Sequence, residues 1–254
     1  MNCFKLFFGA LALLVGSTAP LAAKEYRLYA AAGIKLPLIE LSQAYQAATG
    51  NTILNDFDTA GAAEKKFLAD PNASILITTK PRIDKAIAVN LLTNGVAIHL
   101  VDTAAGIASS QATKPTIRNG DELKAALLNA RHIAFSDPAR GATVGIHFVK
   151  VINELGIANE VMGKAVIARD GVETMKLILD KSVDIGITQM SEVVQADRST
   201  LVGPFPQEFA LISNYTLWYK TSQDAGLTTF IELLTSARAT ETFAKHGLVP
   251  VKHR

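Results

Sequence analysis

The 254-residue chain has a single cysteine, Cys3. That excludes an internal disulfide and any zinc site that needs two or four cysteines. Charged residues make up only 19%, with 25 Lys plus Arg against 23 Asp plus Glu and a formal net charge of +2. Such a balance argues against a nucleic-acid binder that works through a broad basic face. The 17 glycines and 9 prolines follow no period, which excludes collagen-like and low-complexity chains, and no internal repeat recurs at a fixed spacing. Familiar catalytic signatures are missing as well. Gly141-Ala142-Thr143-Val144-Gly145 lacks the Gly-Lys-Ser/Thr of a phosphate loop, and no Gly-x-Ser-x-Gly elbow occurs. His99, His132, His147, His246 and His253 show no His-Glu-x-x-His spacing. What is present is a chain that is 49% apolar, enough for a packed core and long enough for one large domain or two small ones.

The first residues read as an export signal. Lys5 is followed by an apolar run from Leu6 to Val15 and a small-residue exit ending Leu21-Ala22-Ala23. The expected cut follows Ala23 and removes Cys3 with the rest of residues 1–23. The run is too short to span a bilayer, and no later stretch reaches 18 consecutive apolar residues. The expectation is a soluble periplasmic protein whose core holds without disulfides.

Beyond Ala23, strand and helix patterns alternate. Strands are expected at Tyr26–Ala32, Thr52–Phe57, Ser74–Thr78 and Gly95–Val101, with helices at Leu36–Tyr45 (closed by Gly50), Gly61–Leu68 and Ile83–Val89. After a polar stretch from Ser109 to Gly120 a second such run begins. It predicts helices at 121–130, 142–155 and 172–179 and strands at 132–135, 164–168 and 183–187. A long β-like run, Leu211 to Tyr219, and one last helix, Leu227 to Lys245, have no partner in that second unit. The pattern predicts an α/β fold of two lobes, each a mostly parallel sheet flanked by helices. The second unit is inserted into the first, giving lobe 1 at 24–100 plus 210–254 and lobe 2 at 101–209. Strands near Gly95–Asp102 and Leu211–Thr221 would cross between them.

In open α/β sheets ligands sit beyond the C-terminal strand ends, where helix N-termini offer unpaired amides and suit anions. Five strand-to-helix turns carry small or polar residues: Ala32-Gly33-Ile34, Asp58-Thr59-Ala60-Gly61, Ser136 to Thr143, Arg169 to Val172, and Thr188 to Ser191. Taken singly, each reads first as structure, a tight turn or a helix cap, and only second as a ligand contact. Their recurrence points to a cleft. Arg140 and Arg169 stand in these turns and can serve as carboxylate partners or as rim charge. Lys80-Pro81-Arg82 reads as an anion-attracting or merely solvated turn.

The order of these segments resembles the periplasmic molybdate-binding protein family, the type II solute receptors of ABC transporters, over about residues 26–250. Ala30-Ala31-Ala32-Gly33 is similar to that family's first strand end and Phe57 to Gly61 to its second. Asp137-Pro138, Asp170-Gly171-Val172, Gly186 to Gln189, and Phe243 to Gly247 also resemble its segments. The resemblance implies a two-lobed periplasmic-binding-protein-like fold, a small anionic ligand and an inner-membrane ABC permease as partner. It implies a monomer with no metal, no cofactor and no nucleic acid. Its implied ligand residues are Gly33, Thr59, Ala60, Gly61, Arg140, Thr143, Val172 and Gln189. Where the family places serines and a tyrosine, this chain has Gly33, Thr59-Ala60-Gly61 and Gln189, so the implied site leans on amides, Thr59, Thr143 and Gln189. Other segments, among them Ala32-Gly33-Ile34 and Val202-Gly203-Pro204-Phe205-Pro206, resemble a branch of that family that includes an isomerase of unsaturated tricarboxylates. On that alternative the base would be Asp137, His147 or Glu173.

Overall fold

The computed structural model describes residues 23–221 and 224–251. Residues 1–22 of the expected export segment lie outside them. Along β1 (Glu25–Ala31), Tyr26, Leu28 and Ala30 alternate into the core, the period of two that a strand imposes. A tight turn at Ala32–Ile34 leads into α1 (Lys35–Thr49). There Leu38, Leu41 and Tyr45 are buried at helical spacing, and Pro37 sits in the first turn, where its missing amide hydrogen costs little. Gly50 ends the helix at φ 76°, a conformation that favours glycine. The chain continues through β2 (Thr52–Asp58), α2 (Ala60–Ala69), β3 (Ala73–Thr79) and α3 (Lys80–Ala88) into a long strand, β4 (Gly95–Ser109).

Next come α4 (Gly120–Asn129), β5 (Ile133–Ser136), α5 (Thr143–Glu154), α6 (Ala158–Met162), β6 (Ala165–Ala168), α7 (Gly171–Leu179) and β7 (Ile185–Gln189). After these run α8 (Met190–Asp197), β8 (Leu201–Pro204), β9 (Ile212–Lys220), α9 (Ala225–Leu234), α10 (Ala237–Lys245) and β10 (Val249–Pro250). The sheet order is β2-β1-β3-β9-β4-β7-β5-β6, with β8 and β10 also on β4. Pairs β1–β2, β1–β3, β5–β6 and β5–β7 are parallel, whereas β9 lies antiparallel between β3 and β4. One half of β4, Gly95–Ala104, pairs with β9; the other half, Ala105–Ser109, pairs with β7. This one strand therefore belongs to both lobes, and β9 returns beside it.

Each lobe has its own core. In the first, Leu28, Tyr45, Ile77, Leu217, Phe230 and Phe243 cluster, with Tyr45 and Phe230 edge to face at 5.1 Å. In the second, Ile107, Phe135, Phe148, Ile152 and Ile187 cluster, and the Phe135 and Phe148 rings meet at 5.1 Å. Two expected elements come out differently, and α6, α8, β8 and β10 have no counterpart in the sequence reading. The strand expected at Gly95–Val101 runs on to Ser109, because the small side chains of Ala104, Ala105 and Gly106 let α8 lie against it: a Cβ at Gly106 would come within 2.8 Å of Met190 Cγ. The single helix expected at Leu227–Lys245 is two, broken at Thr235, where Ser236 Oγ accepts the Ala239 amide and caps a new start.

Candidate functional site

Five helix or turn N-termini meet between the lobes. Ala31 ends β1 and Ala32 and Gly33 follow it, and Thr59 and Ala60 open α2. Ala142, Thr143 and Val144 open α5, Gly171 opens α7, and Gln189 caps α8. Together with Asp58, Ser136, Thr188, Glu192 and Tyr215 they line a cavity of about 30 Å³. The first amides of a helix have no acceptor inside it, and its dipole adds positive partial charge there. This lining contains no lysine, arginine or histidine. The donors it offers are backbone amides and side-chain hydroxyl and amide groups.

One carboxyl shares the cavity. Glu192 is 7% exposed, at the third position of α8. Its Oε2 accepts the Gln189 amide at 3.1 Å and the Thr188 hydroxyl. A Cβ on Gly171 would overlap this carboxyl, so glycine is what lets α7 begin here. Burial pushes the Glu192 pKa up to about 7 against those two hydrogen bonds, and the charge of Asp170 adds to the rise. Tyr215 is 2% exposed, with its hydroxyl where a Cβ of Gly33 would otherwise lie. Burial first, then the nearby Glu192 charge, raise its pKa well above that of a free phenol. Gln189 Nε2 donates to Ser213 Oγ at 2.8 Å, which ties α8 to β9.

A latch spans the two lobes beside the cavity. Arg140 Nη2 lies 2.8 and 2.7 Å from the Asp58 carboxylate oxygens. The Thr59 hydroxyl donates to the Arg140 carbonyl. The Gly61 amide and Arg82 Nη2 each donate to the Gly141 carbonyl at 3.2 Å. Burial alone would raise the Asp58 pKa, but Arg140, the Thr59 amide and Lys66 outweigh it and hold the carboxyl below its usual range. Gly61 and Gly141 touch: a Cβ on Gly61 would stand 2.8 Å from Gly141 Cα. A second tie joins the lobes where Gln195 takes the Leu36 amide at 3.0 Å and gives Nε2 to the Gly33 carbonyl at 2.8 Å.

Of the residues named from sequence, Gly33, Thr59, Ala60, Thr143 and Gln189 line the cavity, whereas Gly61 and Arg140 sit in the latch. Val172 is 42% exposed and lines a neighbouring groove of about 290 Å³ with Leu36, Met175 and Leu179. The three suggested bases lie elsewhere. Asp137 caps its own turn by accepting the Ala139 amide, and His147 Nε2 meets the Phe209 carbonyl at 2.8 Å. Glu173 is exposed and accepts the Arg169 amide. Arg169 pairs with Asp170 at 3.1 Å. Two lining residues, Glu192 and Tyr215, lie in segments that the sequence reading covers but were not among its expected ligand residues. Glu192 was readable only as an acidic third residue of a helix, a position that points back toward the helix start. Tyr215 is placed by strand register, opposite Thr79 at the end of β3.

A curated relative, the aconitate isomerase of Pseudomonas sp., is 24% identical over 253 residues, covering 94% of each chain. Among solved structures, the periplasmic molybdate-binding protein of Azotobacter vinelandii superposes with a TM-score of 0.71 at 15% identity, over 88% of this chain and 98% of that one. PEB3 of Campylobacter jejuni, bound to L-phospholactate, gives a TM-score of 0.66 at 18% identity, over 88% and 99%. At these identities the structural likeness speaks for the fold, which is that of type II periplasmic binding proteins. The model of the bacterial extracellular solute-binding protein family matches residues 26–249, and the chain belongs to that family.

Proposed function

We propose that this protein is exported to the periplasm, where as a monomer it captures a small anion between its lobes and hands it to an ABC permease in the inner membrane. The ligand is a molybdate-like oxyanion or a small carboxylate. The observation that carries this reading is the convergence of five N-termini on one cavity with no cationic side chain in its lining. Buried oxyanion oxygens need donors, at about 1–3 kcal/mol for each one missing, and amides at these turns are fixed before the ligand arrives. The latch supports it too, because its partners come from both lobes and assemble only when the lobes meet. The test is a thermal-shift screen of the mature protein against molybdate, tungstate, sulfate, phosphate, citrate and the aconitates. A ligand selective for the folded state raises the melting temperature. If none of them shifts it, the reading fails.

One observation favours a second reading, an isomerase acting on an unsaturated tricarboxylate. Glu192 is a buried carboxyl at the cavity wall with a pKa near 7, suited to take and return a proton at neutral pH. The relative of that activity covers nearly the whole chain. Following the ultraviolet absorbance of cis- and trans-aconitate with purified protein decides between capture and turnover.

A further inference from the structure

Glu192 puts a carboxyl where an anion is to be held. Its Oε2 is occupied by Thr188 and Gln189; its Oε1 accepts no hydrogen bond among the described residues, and the carboxyl as a whole lies over Gly171 in the cavity lining. The other acid of the lining, Asp58, is neutralised by Arg140 and Lys66. Glu192 has no such partner among the described residues. Lys35 and Lys176 line the groove on its far side, but neither forms an ion pair with it among the described residues. The remaining groups around it are Asp170, engaged with Arg169, and the Tyr215 phenol, and neither supplies positive charge. An ionised Glu192 and a bound anion would then face each other in a buried space, and like charges there repel strongly.

We infer that Glu192 is protonated in the ligand-bound state and donates its proton as a hydrogen bond to the anion, so that capture takes up one proton. The inference rests on the cavity being an anion site. It makes Glu192 a specificity-determining residue: acceptor-only oxyanions and fully ionised carboxylates are held through a neutral carboxyl, and their affinity is tied to pH. The step balances without a co-reactant, because solvent supplies the proton and recovers it on release.

Sulfate and trans-aconitate are suitable probes, since both are fully ionised above about pH 7 and do not themselves titrate there. Isothermal titration in two buffers of unlike ionisation heat measures protons taken up on binding. The expected result for the wild type is an uptake approaching one proton above about pH 7, with affinity falling about tenfold for each further pH unit. In Glu192→Gln the side chain keeps its shape and an acceptor for Thr188 and Gln189 and presents a permanent amide donor. Its affinity for the same probe is expected to vary less than threefold over that range, with no proton uptake. Wild-type binding with no proton uptake and flat affinity overturns the inference by itself, whether or not the variant folds. Where neither probe binds, the same titration is run with the anion that the thermal-shift screen returns; if that screen returns none, the anion site falls and this inference with it.

Discussion

Replacing Gly61 with alanine separates closing the cleft from folding. In the structure a Cβ on Gly61 would lie 2.8 Å from Gly141 Cα, 3.0 Å from the Arg140 carbonyl oxygen and 2.9 Å from Arg82 Nη2. Arg82 is a side chain and can move. The other two are backbone atoms of the opposite lobe, so relief requires the lobes to back away. Even a few tenths of an ångström stretches the Gly61 N to Gly141 O bond, already 3.2 Å, out of range, and loosens the Thr59 bond to the Arg140 carbonyl. Two neutral hydrogen bonds at about 0.5–1.5 kcal/mol each amount to about 1–3 kcal/mol charged to the closed form alone. Since the ligand is held in that form, affinity should fall by about 5–150-fold. On the proposed capture reading, a ligand-free form with its lobes parted carries none of this cost. Alanine in α2 has the better helix propensity, by up to about 1 kcal/mol, so ligand-free stability should hold or rise. Titration calorimetry with the anion found by screening, beside urea unfolding of the ligand-free protein, reads both quantities. Unchanged affinity would refute the latch as part of the closed state. Lost ligand-free stability would show that Gly61 matters for folding instead.

Three further substitutions probe other parts of the argument. Burial holds Glu192 near pKa 7 rather than the ordinary 4.5, so the folded state binds its proton more tightly than the unfolded chain and loses stability as pH rises between those values. Glu192→Gln should match the wild type near pH 4.5 and exceed it by up to about 3 kcal/mol above pH 7, read from urea midpoints at several pH values; equal stability throughout would contradict a buried, ionising carboxyl. Gly33→Ala forces a methyl onto the Tyr215 hydroxyl and should cost about 1–3 kcal/mol, partly restored by adding Tyr215→Phe; no restoration in the double variant would mean the clash lies elsewhere. Phe148→Ala empties a fully buried site between Phe135 and Phe205 and should cost about 3–5 kcal/mol in thermal or urea unfolding, a loss that a small effect would attribute to a collapsible core.

The sequence carries the alternation of strands and helices because local periodicity writes it. Leu38, Leu41 and Tyr45 repeat at helical spacing, and Gly50 marks the stop. It carries the five turns for the same reason, as short polar or small segments between apolar runs. Its silence begins where the deciding contact is distant. The second half of β4, Ala105–Ser109, is built mostly of small residues with weak strand preference, and its place in the sheet comes from distant partners, β7 and β8 beside it and Met190 packed on Gly106. The helix break at Thr235 interrupts an apolar pattern that continues on both sides, and the Ser236 cap was its one local trace. Arg140 and Gly61 sit in turns and read as ligand contacts, but each finds its partner in the other lobe, 81 or more residues away along the chain for the Arg140 contacts.

The size of the closed cavity bears on which anion fits. About 30 Å³ exceeds what one ordered water needs by a factor of roughly two or three, a space on the scale of a compact oxyanion or a single carboxylate group. A six-carbon tricarboxylate needs more. Two spaces adjoin the cavity: the apolar groove, which shares Ala32 and Glu192 with it, and a wider cleft of about 850 Å³, which shares Thr143 and carries Arg82, Lys85 and Lys150. A larger carboxylate that seats one group among the amides would extend into one of these. Both offer cations for its remaining charges, Lys35 and Lys176 in the mainly apolar groove and Arg82, Lys85 and Lys150 in the wider cleft, which has the room, and Arg82, which belongs to the latch, stands at that edge. A tricarboxylate and a small oxyanion should therefore respond differently to Lys150→Ala, a residue remote from the amide cavity. The larger ligand should lose affinity by about 1–3 kcal/mol with a charge-assisted contact, the smaller should keep its own, and equal losses or none would rule out the wider cleft as the place where the larger ligand extends.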